Sequence, residues 1–209
     1  VPHNGKELYM IYSMRANNTL DANRMEAYLQ DTYRFTSKGG HTHFTLNYGV
    51  RMSHWSFNKE TIVSPRVSLG IIPAYSENTT FRFAAGLYYQ APFFKELRDT
   101  STVNGITYAN LNEKIKSPRS IHFIAGYDYR FRINNLRYRF SAEAYYKALG
   151  NFIPYSVNNV KVVYYGENRA SGHATGIDLK LYGEFVPGAD SWLTFSLMNT
   201  SMKLNGKSV

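Results

Sequence analysis

Few residues of this 209-residue chain carry types and spacings that could do chemistry. His41 and His43 stand two apart and could offer two imidazoles to a metal, but a zinc-type site asks for three or four ligands. Beside the Ser37-Lys38-Gly39-Gly40 turn there is no acid or third ligand, so no metal site is expected. Glu143 and Asp178 could face one another as acid and base. They read better as charge balance for Arg137, Arg139 or Lys180. There is no cysteine, which removes disulfides, thiolate metal sites and a thiol nucleophile. Serine and histidine show no nucleophile-elbow context. Asn78-Thr79-Thr80 matches a glycosylation acceptor but falls in a short turn. The chain is therefore expected not to be an enzyme and to need no cofactor. What remains is recognition. Tyr88, Gln90, Phe93, Phe94 and Tyr155, with Arg51 and Arg66 set deeper, supply the contact area and anion pairing that suit a ligand site where loops converge.

The elements that must position these residues show a period of two, because successive side chains leave a strand on opposite faces. In Gly176–Trp192, Ile177, Leu179, Leu181 and Phe185 share one parity, and Asp178, Lys180, Tyr182 and Glu184 the other. Phe81–Gln90, Ile121–Arg130 and Leu136–Lys147 repeat the pattern, as does Thr42–Ser53 with Phe44, Leu46, Tyr48, Val50 and Met52 on one face. Weaker versions run through Met25–Phe35, Arg66–Ile72 and Trp192–Met202, and no segment reads as a helix. Short connections hold turn residues at Ser37–Gly40, Pro73–Asn78, Arg132–Asn135 and Val186–Asp190. Between them lie longer polar stretches at about 53–64, 91–119 and 148–175. Short turns at one end and long loops at the other describe an up-and-down membrane barrel. Tyr89, Tyr127, Tyr129 and Tyr146 near strand ends fit interfacial girdles, and the mixed charges of the other parity fit a wet lumen.

Composition agrees. The chain has 18 Tyr and 13 Phe, 16% aromatic residues in all, with a negative mean hydropathy of -0.39. A polar chain this rich in Tyr has many surfaces that want both a ring and a hydroxyl. No run approaches the roughly 18 apolar residues of a membrane helix, while barrel strands need only about 9–11 alternating ones. The N-terminal VPHNGKELYM lacks a signal-peptide core. The net charge of +9 is spread with no Lys/Arg block, which argues against a nucleic-acid partner. Alternation alone leaves a soluble β-sandwich or lipocalin-like barrel open.

In order along the chain, RMEAYLQDTYRF, LNYGVRMSHW, SPRVSLGIIP, FRFAAGLYYQAPFFKEL, SIHFIAGYDYRF, YRFSAEAYYKALGNFIPY and GIDLKLYGEFVPGADSW resemble the barrel of TonB-dependent outer-membrane receptors. The resemblance covers nearly the whole chain. It implies an all-β, antiparallel, up-and-down transmembrane β-barrel segment, about ten strands of a 22-strand type of barrel, with residues 1–209 forming a single region of it. It implies a bacterial outer-membrane location and active uptake of a scarce nutrient. The partners it implies are outer-membrane lipid, TonB, the nutrient ligand and a surface lipoprotein. The family's plug domain and TonB box find no match here, and the chain ends in Lys207-Ser208-Val209 rather than an aromatic residue. The expectation is therefore a fragment from the C-terminal half of a longer receptor. A small self-contained outer-membrane barrel, acting as an adhesin or structural protein, is the alternative.

Overall fold

Alternating β-branched and aromatic residues become long strands because each side chain can then choose between an apolar and a wet face. A computed structural model describes residues 14–103, 106–158, 161–186 and 188–208. In chain order the strands are β1 (Met14–Arg15), β2 (Arg24–Thr36), β3 (His43–Trp55), β4 (Glu60–Ile72), β5 (Thr79–Tyr89), β6 (Arg98–Val103) and β7 (Ile106–Leu111). There follow β8 (Arg119–Ile133), β9 (Leu136–Phe152), β10 (Tyr155–Asn158), β11 (Lys161–Tyr164), β12 (Ala170–Val186), β13 (Ala189–Leu204) and β14 (Lys207–Ser208). Among the described residues no helix is long and apolar enough to cross a membrane, which says nothing of crossing by strands.

The main sheet runs β14-β13-β12-β9-β8-β5-β4-β3-β2, antiparallel throughout. Eight of these strands have 11 to 17 residues, enough to cross a bilayer. That is fewer and longer than the expected ten. The connection expected at 53–64 shrinks to residues 56–59, since β3 runs to Trp55 and β4 starts at Glu60. The stretches at 91–119 and 148–175 hold two small hairpins, β6–β7 and β10–β11, outside the main sheet, with β1 pairing parallel to β7.

Tight turns gather at one rim. Asn134 and Asn135 both adopt positive φ between β8 and β9, as a two-residue hairpin of matching twist requires. The turn between β12 and β13 has Gly188 at φ 79°, with Pro187 outside the described residues. VPHNGKELYM also lies outside them. The opposite rim carries the long loops.

One sheet face is apolar and bare, with Leu29 75%, Leu197 60% and Phe123 53% exposed. A soluble sandwich would cover such a face with a second sheet. Asp31 is a carboxylate on this face, accepting from the Tyr48 hydroxyl (3.0 Å) and its neighbour's Thr32 N–H (2.7 Å).

The buried apolar cluster lies in the loops instead. Trp55, Leu97, Ile115 and Ile153 meet there, with Leu20, Ala22, Phe57, Leu111 and Tyr164 against them. Pro65 explains where this lobe sits. Pairing between β4 and β5 begins only at Arg66↔Gly86, one residue past the proline that has no N–H to give. Above that point the two strands part, and the loop closes the gap. Ser117 donates to Glu60 from its N–H (3.0 Å) and hydroxyl (2.7 Å), and Asn58 Nδ2 donates to the Ile115 carbonyl (2.8 Å).

Candidate functional site

The polar face is layered from the short-turn rim to the loop rim, because residues in cross-strand register share a height along the strands. Nearest the short turns, Arg130 stands opposite Arg139 and Arg132 opposite Arg137. The next layer balances its charges. Asp128, 4% exposed, accepts from Arg82 Nε (2.7 Å), Arg139 Nη2 (2.8 Å) and the Ser141 hydroxyl (2.8 Å). Glu143 takes a longer contact from Arg82 Nη1 (3.4 Å), so its partner is Arg82 rather than the expected Arg137, Arg139 or Lys180. Asp178 lies directly opposite Glu143, and Lys180 Nζ sits 5.4 Å over the Tyr182 ring. Gly126 stands in register between Arg82 and Glu143, and the next layer up is uncharged, with Ser68, Ala84, Ile124, Tyr145 and Gly176 in register. At Gly126 a Cβ would stand 3.0 Å from the Arg82 guanidinium, so the glycine lets Arg82 lie across β8 to reach Asp128.

Above that uncharged layer lies the candidate ligand site. Arg66, Gly86, His122 and Lys147 are in register on β4, β5, β8 and β9, with Arg51 diagonal to Arg66 across β3. The Arg66 guanidinium lies 4.7 Å over the Tyr88 ring, and the other side of the assembly stacks Tyr88 on His122 at 4.4 Å. Gly86 makes this possible, since a Cβ there would come within 2.9 Å of the Tyr88 ring. Lys147 Nζ lies 5.0 Å from the Tyr145 ring. Arg51 pairs with Glu26. A cleft of about 750 Å³ runs along this face past Tyr28, Asn47, Arg51, Arg66, Ser68 and Tyr88. A smaller one of about 200 Å³ opens where β4 and β5 part, between Arg51, Arg66 and Ser117. Cations over ring faces, with hydroxyls and amides alongside, can hold a ligand that is both flat and anionic.

The structure thus brings Arg51, Arg66 and Tyr88 to one cleft. It places the other expected residues elsewhere. Gln90 lies just past β5, its N–H donating to the Pro118 carbonyl (3.0 Å). Phe93, 63% exposed, and Phe94, beneath Arg98 at 5.2 Å, belong to the loop lobe. Tyr155 is exposed on β10, its ring 5.7 Å from Tyr164. Glu26, His122 and Lys147 were missed. Parity puts all three on the polar face, but only register shows that they meet the arginines. His41 precedes β3, and His43 Nδ1 lies 3.4 Å from the Thr36 hydroxyl. Among the described residues no three potential metal-binding side chains of His, Asp or Glu gather.

No curated protein matches this chain in sequence. Among solved structures, the outer membrane transporter YddB from Escherichia coli superposes with a TM-score of 0.58 at 14% identity, over 90% of this chain and 31% of that one. The present chain thus spans about a third of that transporter's length, and the likeness bears on fold alone. The family described as TonB dependent receptor-like, beta-barrel, matches residues 4–207. With one bare apolar face, one layered polar face and a family match over nearly its whole length, the chain belongs to the TonB-dependent receptor β-barrel family of the outer membrane.

Proposed function

We propose that this chain is part of the wall of a larger barrel, of the 22-strand type, whose parent protein imports a scarce nutrient with energy delivered through TonB. The observation that carries the reading is the open sheet. β2 pairs with β3 and has no second strand partner among the described residues, so the sheet does not close on itself between β2 and β13. An unpaired edge inside a bilayer leaves backbone donors and acceptors unmet, at a cost of several kcal/mol for each group. Further strands of the parent chain would meet that edge. The span of about a third of a similar transporter supports the same reading.

In this proposal the apolar face meets outer-membrane lipid and the polar face lines the lumen. Phe93, Phe94, Tyr155 and Gln90 make first contact with the nutrient on the outer side. Arg51, Arg66 and Tyr88 hold it deeper, with His122 and Lys147. A lumen-filling plug in the parent chain engages TonB, and a surface lipoprotein covers the loops. An immunoblot of the outer-membrane fraction tests the larger chain, which should run several times heavier than 24.0 kDa. A band near 24 kDa would refute it. In the full receptor, Arg51→Ala with Arg66→Ala should weaken uptake of an anionic nutrient at least about tenfold, as loss of charged hydrogen bonds implies. Unchanged uptake of every anionic nutrient that the receptor carries would remove both residues from the site.

A further inference from the structure

The apolar face of the main sheet is not evenly covered. A hollow of about 680 Å³ opens on it across β5, β8, β9 and β12, floored by Ala125 and Ala144 and walled by Phe83, Phe123, Tyr146 and Ile177. Ala125 faces Ala144 across β8 and β9. Toward the long-loop rim, the next side chains of β9 on this face belong to Tyr146, Ala148 and Gly150. The Tyr146 ring stacks toward His173 of β12, with centroids 6.0 Å apart, so β9 continues the hollow as a lane over Ala148 and Gly150.

Positive charge crowns the lane. Arg119 of β8 is in register with Gly150 and lies across it, since a Cβ on that glycine would stand 3.2 Å from Arg119 Nε. Lys203 of β13 stands opposite Ser171 at the same rim. Both cations are exposed and make no ion pair among the described residues. Among the described residues of the sheet the acid on this face is Asp31, on β2 at the opposite edge. No acid of the sheet lies beside the two cations.

An apolar lane that ends at two free cations suits an amphiphile with an acyl chain and a phosphate. The lengths agree. From Ala144 to Gly150 is six residues, roughly 20 Å along the strand at the usual rise. At the usual barrel tilt this is roughly 15 Å along the membrane normal, half of a hydrocarbon core about 30 Å thick. A phosphate at Arg119 therefore sits at the edge of the outer leaflet while its chain ends in the hollow near the middle of the bilayer. Three strand spacings separate Arg119 from Lys203, roughly 14 Å between backbones, which two long side chains reaching inward can close around one phosphate. Guanidinium forks match phosphate oxygens well.

We propose that the hollow and its two cations form a site for one phosphate-bearing lipid of the outer leaflet, its acyl chain over Ala148 and Ala144 and its phosphate between Arg119 and Lys203. The inference rests on the reading of the apolar face as the lipid face and of the long loops as the outer end. It gives the wall a ligand of its own, apart from the nutrient and on the other side of the sheet.

The test places a photoreactive benzoylphenylalanine in the full-length receptor in its native outer membrane, in place of Ile121 beside the lane or of Val50. Val50 pairs with Pro65 on the same face at the height where Ile121 pairs with Leu87, so both probes sample one depth of the membrane. Mass spectrometry of the adducts should show one phosphate-bearing lipid enriched at Ile121 over Val50 at least about tenfold, given the usual strength of charged hydrogen bonds. R119Q/K203Q should erase the enrichment, A144L should erase it by filling the hollow, and R119K/K203R should keep it. Heat-modifiable migration on gels checks that each barrel is folded.

The same mixture of lipids at Ile121 and Val50 would overturn the proposal, as would enrichment that survives R119Q/K203Q or A144L, or adducts at Ile121 with a protein. These results would leave the assignment of the faces standing. Lipid adducts from a probe at Ser68 of the polar face, with none at Ile121 or Val50, would sink that assignment and this inference together.

Discussion

Asp128→Asn removes the charge at the centre of the polar network while keeping the side chain's size. The carboxylate is buried, and its oxygens accept from Arg82 Nε (2.7 Å), Arg139 Nε (3.2 Å) and Nη2 (2.8 Å), and the Ser141 hydroxyl (2.8 Å). An asparagine has one carbonyl oxygen left to accept and turns an amide donor toward a guanidinium donor. Hydrogen bonds to charged groups are worth about 1.5–3 kcal/mol each, but the sum overstates the loss. The Arg82 and Arg139 side chains are 42% and 49% exposed, so water takes over part of what Asp128 gave. The expected net cost is about 2–3 kcal/mol, or roughly 30- to 150-fold in the folding equilibrium. Urea titration of the full receptor in lipid vesicles, followed by heat-modifiable migration, measures it. Adding Arg139→Gln should recover part of the loss, because it removes a cation left without its partner. A change under about 0.5 kcal/mol, or strictly additive costs in the double variant, would refute the network as the source of stability.

Other expectations follow from the two faces and the lobe. Val67→Arg, on the apolar face, should cost about 2–4 kcal/mol if it sits near the bilayer midplane and should slow assembly into vesicles, while Ser68→Arg next to it on the polar face should assemble normally. Equal assembly of the two would invert the assignment of the faces. Trp55→Ala should loosen the loop lobe by about 3–5 kcal/mol, read as faster proteolysis between residues 91 and 118 with the barrel intact. Gly86→Val should push the Tyr88 ring from its place between Arg66 and His122, and lower nutrient affinity as much as Tyr88→Ala does. A Gly86→Val receptor with native affinity would remove Tyr88 from the site.

Parity was legible in the sequence, and ends and partners were not. Phe81–Gln90 and Leu136–Lys147 alternate so regularly that their faces follow from side-chain chemistry alone. The start of β12 was placed at Gly176 instead of Ala170, because Ala170, Ser171, Gly172, Ala174 and Thr175 are too small or too mixed to show a face. β6–β7 and β10–β11 are short and polar in the middle of long connections, where composition reads as loop. The first residues of β4, Glu60 to Ser64, read as part of the polar connection at 53–64 because they show no alternation. Arg51, Arg66 and Tyr88 could be named for their type and position. Their meeting with Glu26, His122 and Lys147 depends on turn lengths, where an error of one residue would move each of them to the other face.

The loop lobe bears on how such a protein can be altered. Its buried cluster draws Trp55 from the end of β3, Leu97 and Ile115 from the connection after β5, and Ile153 from the connection after β9. Asn168 ties two of those connections, donating to the Lys116 carbonyl (2.8 Å) and the Asn151 carbonyl (2.6 Å), while Asn112 Nδ2 reaches the Gly166 carbonyl (2.9 Å). A graft that exchanges one of these loops for that of another receptor strips partners from the other two. Exchanging all three as one cassette, with Trp55 and Glu60 kept at its base, carries the interior along. Tolerated variation in these loops is thereby steered toward the exposed tips such as Phe93 and Tyr155, and away from single-loop replacement.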